Sequence, residues 1–219
     1  MPVDLLPLFP LNLVALPGAA LPLHIFEERY QEMVGIAVQQ QTEFGIILAQ
    51  EQGIANIGCA VFVEKVLERF PDGRMDILCR GSRRFEVVEL NEDKSYLRAT
   101  VEFFDDQSPE DSPELPALRE RVVDAWRALA RRVAEGPIPE LDMEDPLLSF
   151  QLGQTVGDAN LRQVLLQMRV EEERLRHLLT YFQTFESRQA QIAQARRLAP
   201  TNGHAKSALT QEDDGQSIP

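Results

Sequence analysis

Positive charge and reactive side chains are scarce in this sequence. Lysine occurs only as Lys65, Lys94 and Lys206, histidine only as His24, His177 and His204, and the formal net charge is −13. A field of that sign opposes phosphate backbones and anionic membrane surfaces. No lysine follows the glycines that a GxxxxGK(S/T) phosphate loop needs, no serine stands in a G-x-S-x-G elbow, and no Cys-x-x-C pair or histidine cluster offers a zinc ligand set. The residues therefore nominate no catalytic, cofactor-binding or metal-binding group, and the expectation is a protein that is not an enzyme. Cysteine is confined to Cys59 and Cys79, both in stretches that read as strands, so reduced thiols in a reducing compartment are expected. No run approaches the ~18 apolar residues of a membrane span, and Met1-Pro2-Val3-Asp4 lacks the basic start of a signal peptide. A cytoplasmic location is the expectation.

What is present is ample apolar surface. Of 219 residues, 44% are hydrophobic, enough for the core of one domain or two small ones. Residues 8 to 34 organise the rest. Pro10, Pro17 and Pro22 hold φ near its extended value and push the preceding residue out of the α region, while Gly18 supplies a permissive corner. After Phe26 the pattern changes: Tyr30, Met33, Val34, Ala37 and Val38 recur on one helix face, with Glu27, Glu28, Gln31 and Glu32 opposite. Extended pieces thus feed an amphipathic helix.

The string Pro7-Leu8-Phe9-Pro10-Leu11, followed by Leu16-Pro17-Gly18, by Leu21-Pro22-Leu23-His24-Ile25-Phe26-Glu27 and by Arg29-Tyr30, closely resembles the opening of the Lon-protease N-terminal (substrate-binding) domain family. The resemblance implies an α+β fold in which a PUA-like β-barrel is followed by a C-terminal α-helical bundle. It also implies a free-standing bacterial member that binds unfolded or extended polypeptide, or a partner protein; the motif absences above lead to the expectation that the ATPase and serine-lysine protease that Lon couples to such a domain are not part of it.

Along the chain, residues 3–14 read as a first strand with Leu6, Leu8, Leu11 and Leu13 as core candidates, and residues 44–49 as a strand buried on both faces, with a loop to Gly58. Two strands at 59–70 and 74–79 flank Pro71-Asp72-Gly73, a strong hairpin signal, and Gly81 marks a bend into another strand. Residues 96–104 close the β region, with Leu97, Ala99, Val101 and Phe103 on one face. The composition break at 105–116 is acidic and proline-punctuated, which sets the expected organisation: barrel over 1–106, linker 107–112, bundle 113–198 and a disordered tail 199–219 without a periodic apolar face. Ser112 and Pro113 start a helix to about residue 135 carrying Leu115, Leu118, Val122, Trp126, Leu129 and Val133. Asp145-Pro146 starts a short one, and Asp158 caps the next, with Leu161, Val164, Leu165 and Met168. The last helix runs from about 171 to 198. Between these two, Arg169-Val170-Glu171 offers no good cap, so a break and a kinked continuous helix both stand open.

Three groups invite a functional reading. His24, Glu27, Arg29 and Tyr30 could form an acid-base cluster, but anchoring a helix start is the preferred role. Arg80, Arg83 and Arg84 could take a phosphate or carboxylate, against the preferred pairing with Glu64, Glu68, Glu86 or Glu89. Trp126 reads as core rather than a ligand platform, and His177 as a packing or solvent-facing residue. Two function classes follow. A polypeptide binder would use an apolar groove between barrel and bundle, or an open strand edge; the alternative, a PUA-like RNA-binding protein, lacks a basic face, so nucleic acid is not the expected partner. A small-ligand enzyme using His24, Glu27 and Arg29 is a weaker third. For a groove, Phe9, Leu13, Leu21, Leu23 and Phe26 would form one wall and the helix over 112–135 the other, with no binding residue assigned.

Overall fold

Strand β5, Met75–Asn91, has the most partners in the sheet, and the fold is best followed from it. In the computed structural model, which describes residues 5–107, 112–133 and 137–198, the elements before it are β1 Leu6–Leu11, β2 Ala20–Ile25, α1 Glu28–Gln40, β3 Phe44–Gln50 and β4 Gly53–Arg69. After it come β6 Arg98–Phe104, α2 Leu115–Val133, α3 Leu148–Gly153, α4 Ala159–Gln167 and α5 Glu171–Leu198. The order is β2-β5-β4-β3-β1-β6, and β6 pairs in turn with β5. Only β1 and β3 run parallel, with Leu8 opposite Gly45; the other pairs are antiparallel. The first half of β5 pairs with β2 up to Arg80, and its second half, from Arg84, with β6.

Gly81 sits between those two registers. A Cβ there would fall 2.1 Å from the Leu16 carbonyl oxygen, so only glycine lets the proline-bent segment close on the strand. The contact is tied by Gly18 N–H to the Gly81 carbonyl at 3.0 Å and Gly81 N–H to the Ala19 carbonyl at 2.9 Å. The expected bend at Gly81 is therefore a register shift against β4 inside one unbroken strand. The loop expected before Gly58 is also strand: β4 starts at Gly53, paired with Gln50 across a two-residue turn. The hairpin at Pro71-Asp72-Gly73 is present, with Gly73 at φ 91°. Leu6 and Leu8 are buried, whereas Leu11 and Leu13 are half-buried. Phe103, expected to face inward, is 40% exposed, its ring under the Arg83 guanidinium at 3.9 Å.

Three apolar clusters hold the chain. One joins α1 to the sheet through Tyr30, Met33, Val34, Ile25, Ile77 and Phe44 and also takes in Phe150 of α3 and Leu166 of α4. A second, around Phe85, fills the other side of the strands; a Cβ on Gly58 would lie 2.4 Å from that ring. The third lies among the helices, with Leu118, Val122 and Trp126 of α2 against Leu175, Leu178 and Phe182 of α5. Helix α2 begins at Leu115, two residues beyond the expected start at Pro113. Asp158 caps α4 as expected, its Oδ1 accepting from Asn160 and Leu161 N–H at 2.9 and 3.2 Å. The expected tail, most of the linker, the first strand's start and the end of the helix over 112–135 lie outside the described residues.

Helices α4 and α5 are separate, and two arginines explain the break. Arg84, 4% exposed, donates to the Leu166 and Met168 carbonyls at 3.3 and 2.5 Å, taking the acceptors that α4 leaves free at its end. Arg174, 0% exposed, also reaches the Met168 carbonyl, at 2.9 Å, and donates to Ser149 Oγ at 2.7 Å and Glu171 Oε2 at 2.7 Å. Both guanidiniums converge on Asp106, which Arg84 meets at 2.5 Å and Arg174 grips with two nitrogens. Burial pushes the Asp106 carboxyl up, but the hydrogen bonds and charge of Arg174 and Arg84 outweigh it and hold the carboxyl below its usual range.

Candidate binding groove

The helices leave one of their faces open. Trp126, Leu129 and Ala130 of α2 and Tyr181, Phe182 and Phe185 of α5 line a groove of about 970 Å³. Its remaining walls are the chain at Ile138, Pro139, Glu140 and Leu141 and the turn after α3 at Gln154, Thr155, Gly157 and Asp158. A 28-residue helix with Phe182 buried and Tyr181 and Phe185 half-exposed carries an aromatic stripe wider than the face α2 covers. The surplus width becomes groove.

Polar contacts hold the walls in place. Trp126 Nε1 donates to Thr155 Oγ1 at 3.1 Å, and that hydroxyl donates to the Leu152 carbonyl at 2.7 Å, so the indole is fixed by its one polar atom. Arg162 donates to the Val156 and Gln154 carbonyls, both at 2.6 Å, and so clamps the turn. Arg119 of α2 donates to the Met143 carbonyl at 2.8 Å and to that of Asp145, strapping the crossing chain to the helix. Gln151 accepts from Asp142 N–H at 3.0 Å and donates to Asp145 Oδ2 at 2.6 Å. Burial, with the Asp158 charge second, raises the Tyr181 phenol pKa, so the ring enters the groove neutral. An apolar, aromatic cleft with pre-set polar edges can hold side chains from a partner.

The residues singled out from sequence are scattered. His24 Nδ1 meets Asp76 Oδ1 at 2.5 Å, away from Glu27, which pairs with Arg29 at 2.7 Å while Arg29 lies over Tyr30 at 4.5 Å. That is the helix-anchoring arrangement: Tyr30 stacks on Phe9 at 4.0 Å at the start of α1. Arg80 forks onto Glu64 at 3.0 and 3.1 Å, as the pairing expectation had it. Arg83 goes instead to Glu43 at 3.0 Å, and Arg84 to Asp106. Three arginines close in sequence thus serve three different partners. Cys59 and Cys79 are free and buried, opposite Arg84 and Val63, and burial pushes both thiols up to about 12. Among the described residues no group of three or more His, Cys, Asp or Glu could hold a metal, and no helix is long and apolar enough to cross a membrane.

The groove also lies elsewhere than the proline-bent segment suggested. Phe9 is core, Leu13, Leu21 and Leu23 pack half-buried on the same cluster, and Phe26 is 62% exposed. Helix α2 faces α5 and α3 rather than this segment. Phe26 does form a smaller surface with His24 and Phe70, ring centroids 6.0 and 6.1 Å from the imidazole. The strand edges are blunted. Because Gly81 N–H bonds the Ala19 carbonyl, alternation turns Ala20, Pro22 and His24 outward on β2, and Pro22 has no N–H to offer a new strand. Beyond Val61, where the pairing with β3 stops at Phe44, the free edge of β4 carries register shifts at Val63/Lys65 and Val66/Glu68. Sequence reasoning placed Trp126 in a core, which is half the answer, and missed Tyr181, Ile138 and Leu141; the signal available was the Tyr181, Phe182, Phe185 cluster, too wide for one packed face.

A model of the ATP-dependent protease La (LON) substrate-binding domain family matches residues 5–185. The Lon protease of Parabacteroides distasonis is 30% identical over 144 residues, 61% of this chain and 17% of that protein. The Lon protease of Cytophaga hutchinsonii is 26% identical over 191 residues, 80% of this chain and 24% of that protein. The chain therefore spans a quarter or less of the length of these relatives. The crystal structure of a Lon N-terminal domain protein from Xanthomonas campestris has a TM-score of 0.64 and 27% identity, covering 82% of this chain and 99% of that one. The N-terminal domain of the Mycobacterium avium complex Lon protease has the same TM-score, 0.64, at 20% identity, covering 82% and 98%, a likeness of fold alone.

Proposed function

The chain belongs to the Lon substrate-binding domain family, and from that membership we propose that it works by binding polypeptide, with the groove between α2 and α5 as the place of capture. The observation that carries the choice of place is the groove's lining: apolar and aromatic side chains on two packed helices, held by Arg119, Arg162 and Thr155. A rigid apolar cleft binds unfolded or extended segments through their large side chains, without reading a fixed backbone shape. Strand addition is the poorer mode, given Pro22 on one edge and the bulges on the other. In the same reading the ring of pairings β5-β4-β3-β1-β6-β5 is a PUA-like barrel that serves as scaffold. On this reading the isolated chain turns over neither ATP nor peptide bonds, in keeping with a sequence that has no GxxxxGK(S/T) loop and no G-x-S-x-G serine. A cytoplasmic location fits the scarcity of cysteine.

Trp126 is the sole tryptophan and stands in the groove wall, so its emission reports occupancy directly. Labelled unfolded peptide, titrated beside a labelled RNA oligomer at the same salt, should bind, shift Trp126 emission and persist at high salt. Phe185→Ser should weaken that binding by roughly tenfold, a loss of about 1.4 kcal/mol. RNA binding alone, lost as salt rises, would overturn the reading.

A further inference from the structure

Charge divides the groove between floor and rim. Trp126, Leu129 and Phe182 are its buried lining side chains, and among the described residues the two acid or base side chains on its lining are both acids, Glu140 and Asp158. Among the described residues, no lysine or arginine lines it. The two carboxylates differ. Asp158 Oδ1 accepts from two N–H groups at the N-terminus of α4, where the helix dipole offsets negative charge, and Arg162 clamps the adjoining turn. Glu140 is exposed and has no ion pair among the described residues, and the chain past it continues with Asp142, Glu144 and Asp145. Acidic side chains are thus concentrated on the Glu140 side, with the Arg119 guanidinium held on the Met143 and Asp145 carbonyls of the same segment.

We propose that the groove selects segments in which large apolar side chains are followed or preceded by a basic residue, so that it sorts polypeptides by charge as well as by hydrophobicity. This rests on the reading of the groove as a polypeptide site. The apolar residues would fill the cleft between α2 and α5, and the basic one would reach Glu140, where partial desolvation strengthens the attraction and like charge is rejected. The same field argues against two other occupants. A second copy carries a net charge of −13, and residues 199–219 set Glu212, Asp213 and Asp214 against a single Lys206. Both would be repelled.

The test uses the full chain and three labelled peptides of roughly 15 residues, none containing tryptophan. One has a Leu/Phe cluster flanked by lysine, one the same cluster flanked by glutamate, and one the lysines with serine in place of the apolar residues. The expected result at about 50 mM salt is affinity for the first about tenfold above the second, the gap shrinking to about twofold at about 500 mM, and no measurable binding of the third. Trp126 emission should shift with the first peptide. Glu140→Lys should close or reverse the gap while leaving the thermal midpoint unchanged. Equal binding of the first two peptides, untouched by Glu140→Lys, refutes charge selection and leaves the polypeptide reading standing. Binding of the serine peptide equal to the first refutes it as well, because charge alone would then suffice. If neither apolar peptide binds, the polypeptide reading itself fails.

Discussion

Arg174 shows how much one side chain can carry in this protein. It is fully buried, its guanidinium meets Asp106, Glu171, Ser149 and the Met168 carbonyl, and its plane covers Phe150 at 4.4 Å. Removing one partner of such a set leaves buried charge without compensation, so Arg174→Met should destabilise by about 3–5 kcal/mol, read from the urea midpoint. A double variant with Asp106→Asn should lose clearly less than the sum of the two single losses, since each destroys the same contact. Asp106 also gives the site a pH signature. Its folded-state pKa lies below the unfolded value, so its stabilisation is present above the unfolded carboxylate pKa of about 3.9 and is lost as pH falls through the lower folded value. Unfolding midpoints measured from pH 6 downward should therefore fall less steeply for Asp106→Asn than for the parent below about pH 4.

Among the elements, β2 is the one whose sequence restrains association most visibly. Pro22 stands on its outward edge, where a residue with an N–H would offer a template to another strand. Pro22→Thr should keep the pairing to β5, because the outward position makes no bond to Leu78, yet raise self-association, measured by light scattering at rising protein concentration. An unchanged scattering profile would mean that the edge is already covered by something other than the proline. The pair α4 and α5 teaches the complementary point. Asp158 caps α4 within three residues of itself and is legible from sequence, whereas the stop at Met168 depends on Arg84, which lies 84 residues away. A local window contains no trace of that partner.

For the whole molecule, the division at about residue 106 cuts across packing. Phe150 and Leu166 belong to the cluster that holds α1 on the sheet, and Arg84 finds its carbonyl partners at the end of α4, on Leu166 and Met168. A fragment comprising residues 1–106 should therefore unfold at a clearly lower temperature than the full chain and bind a hydrophobic dye. A fragment as stable as the parent would establish the sheet as an independent unit.

What the sequence determined by itself is what short range and composition can encode. The amphipathic face of α1, the turn at Pro71-Asp72-Gly73, the Asp158 cap, the family resemblance of residues 7–30 and the acidic charge all reside in neighbouring residues or in simple sums. The 17-residue run of β5 reads as two strands in sequence because Gly81 looks like a bend until Leu16 is placed against it. Arg80, Arg83 and Arg84 looked like one basic spot because adjacency in the chain says nothing of Glu64, Glu43 and Asp106. The groove was beyond reach for the same reason: Trp126 and Phe185 reveal themselves as one surface only when α2 and α5 pack side by side, since a cleft is a property of the space between elements.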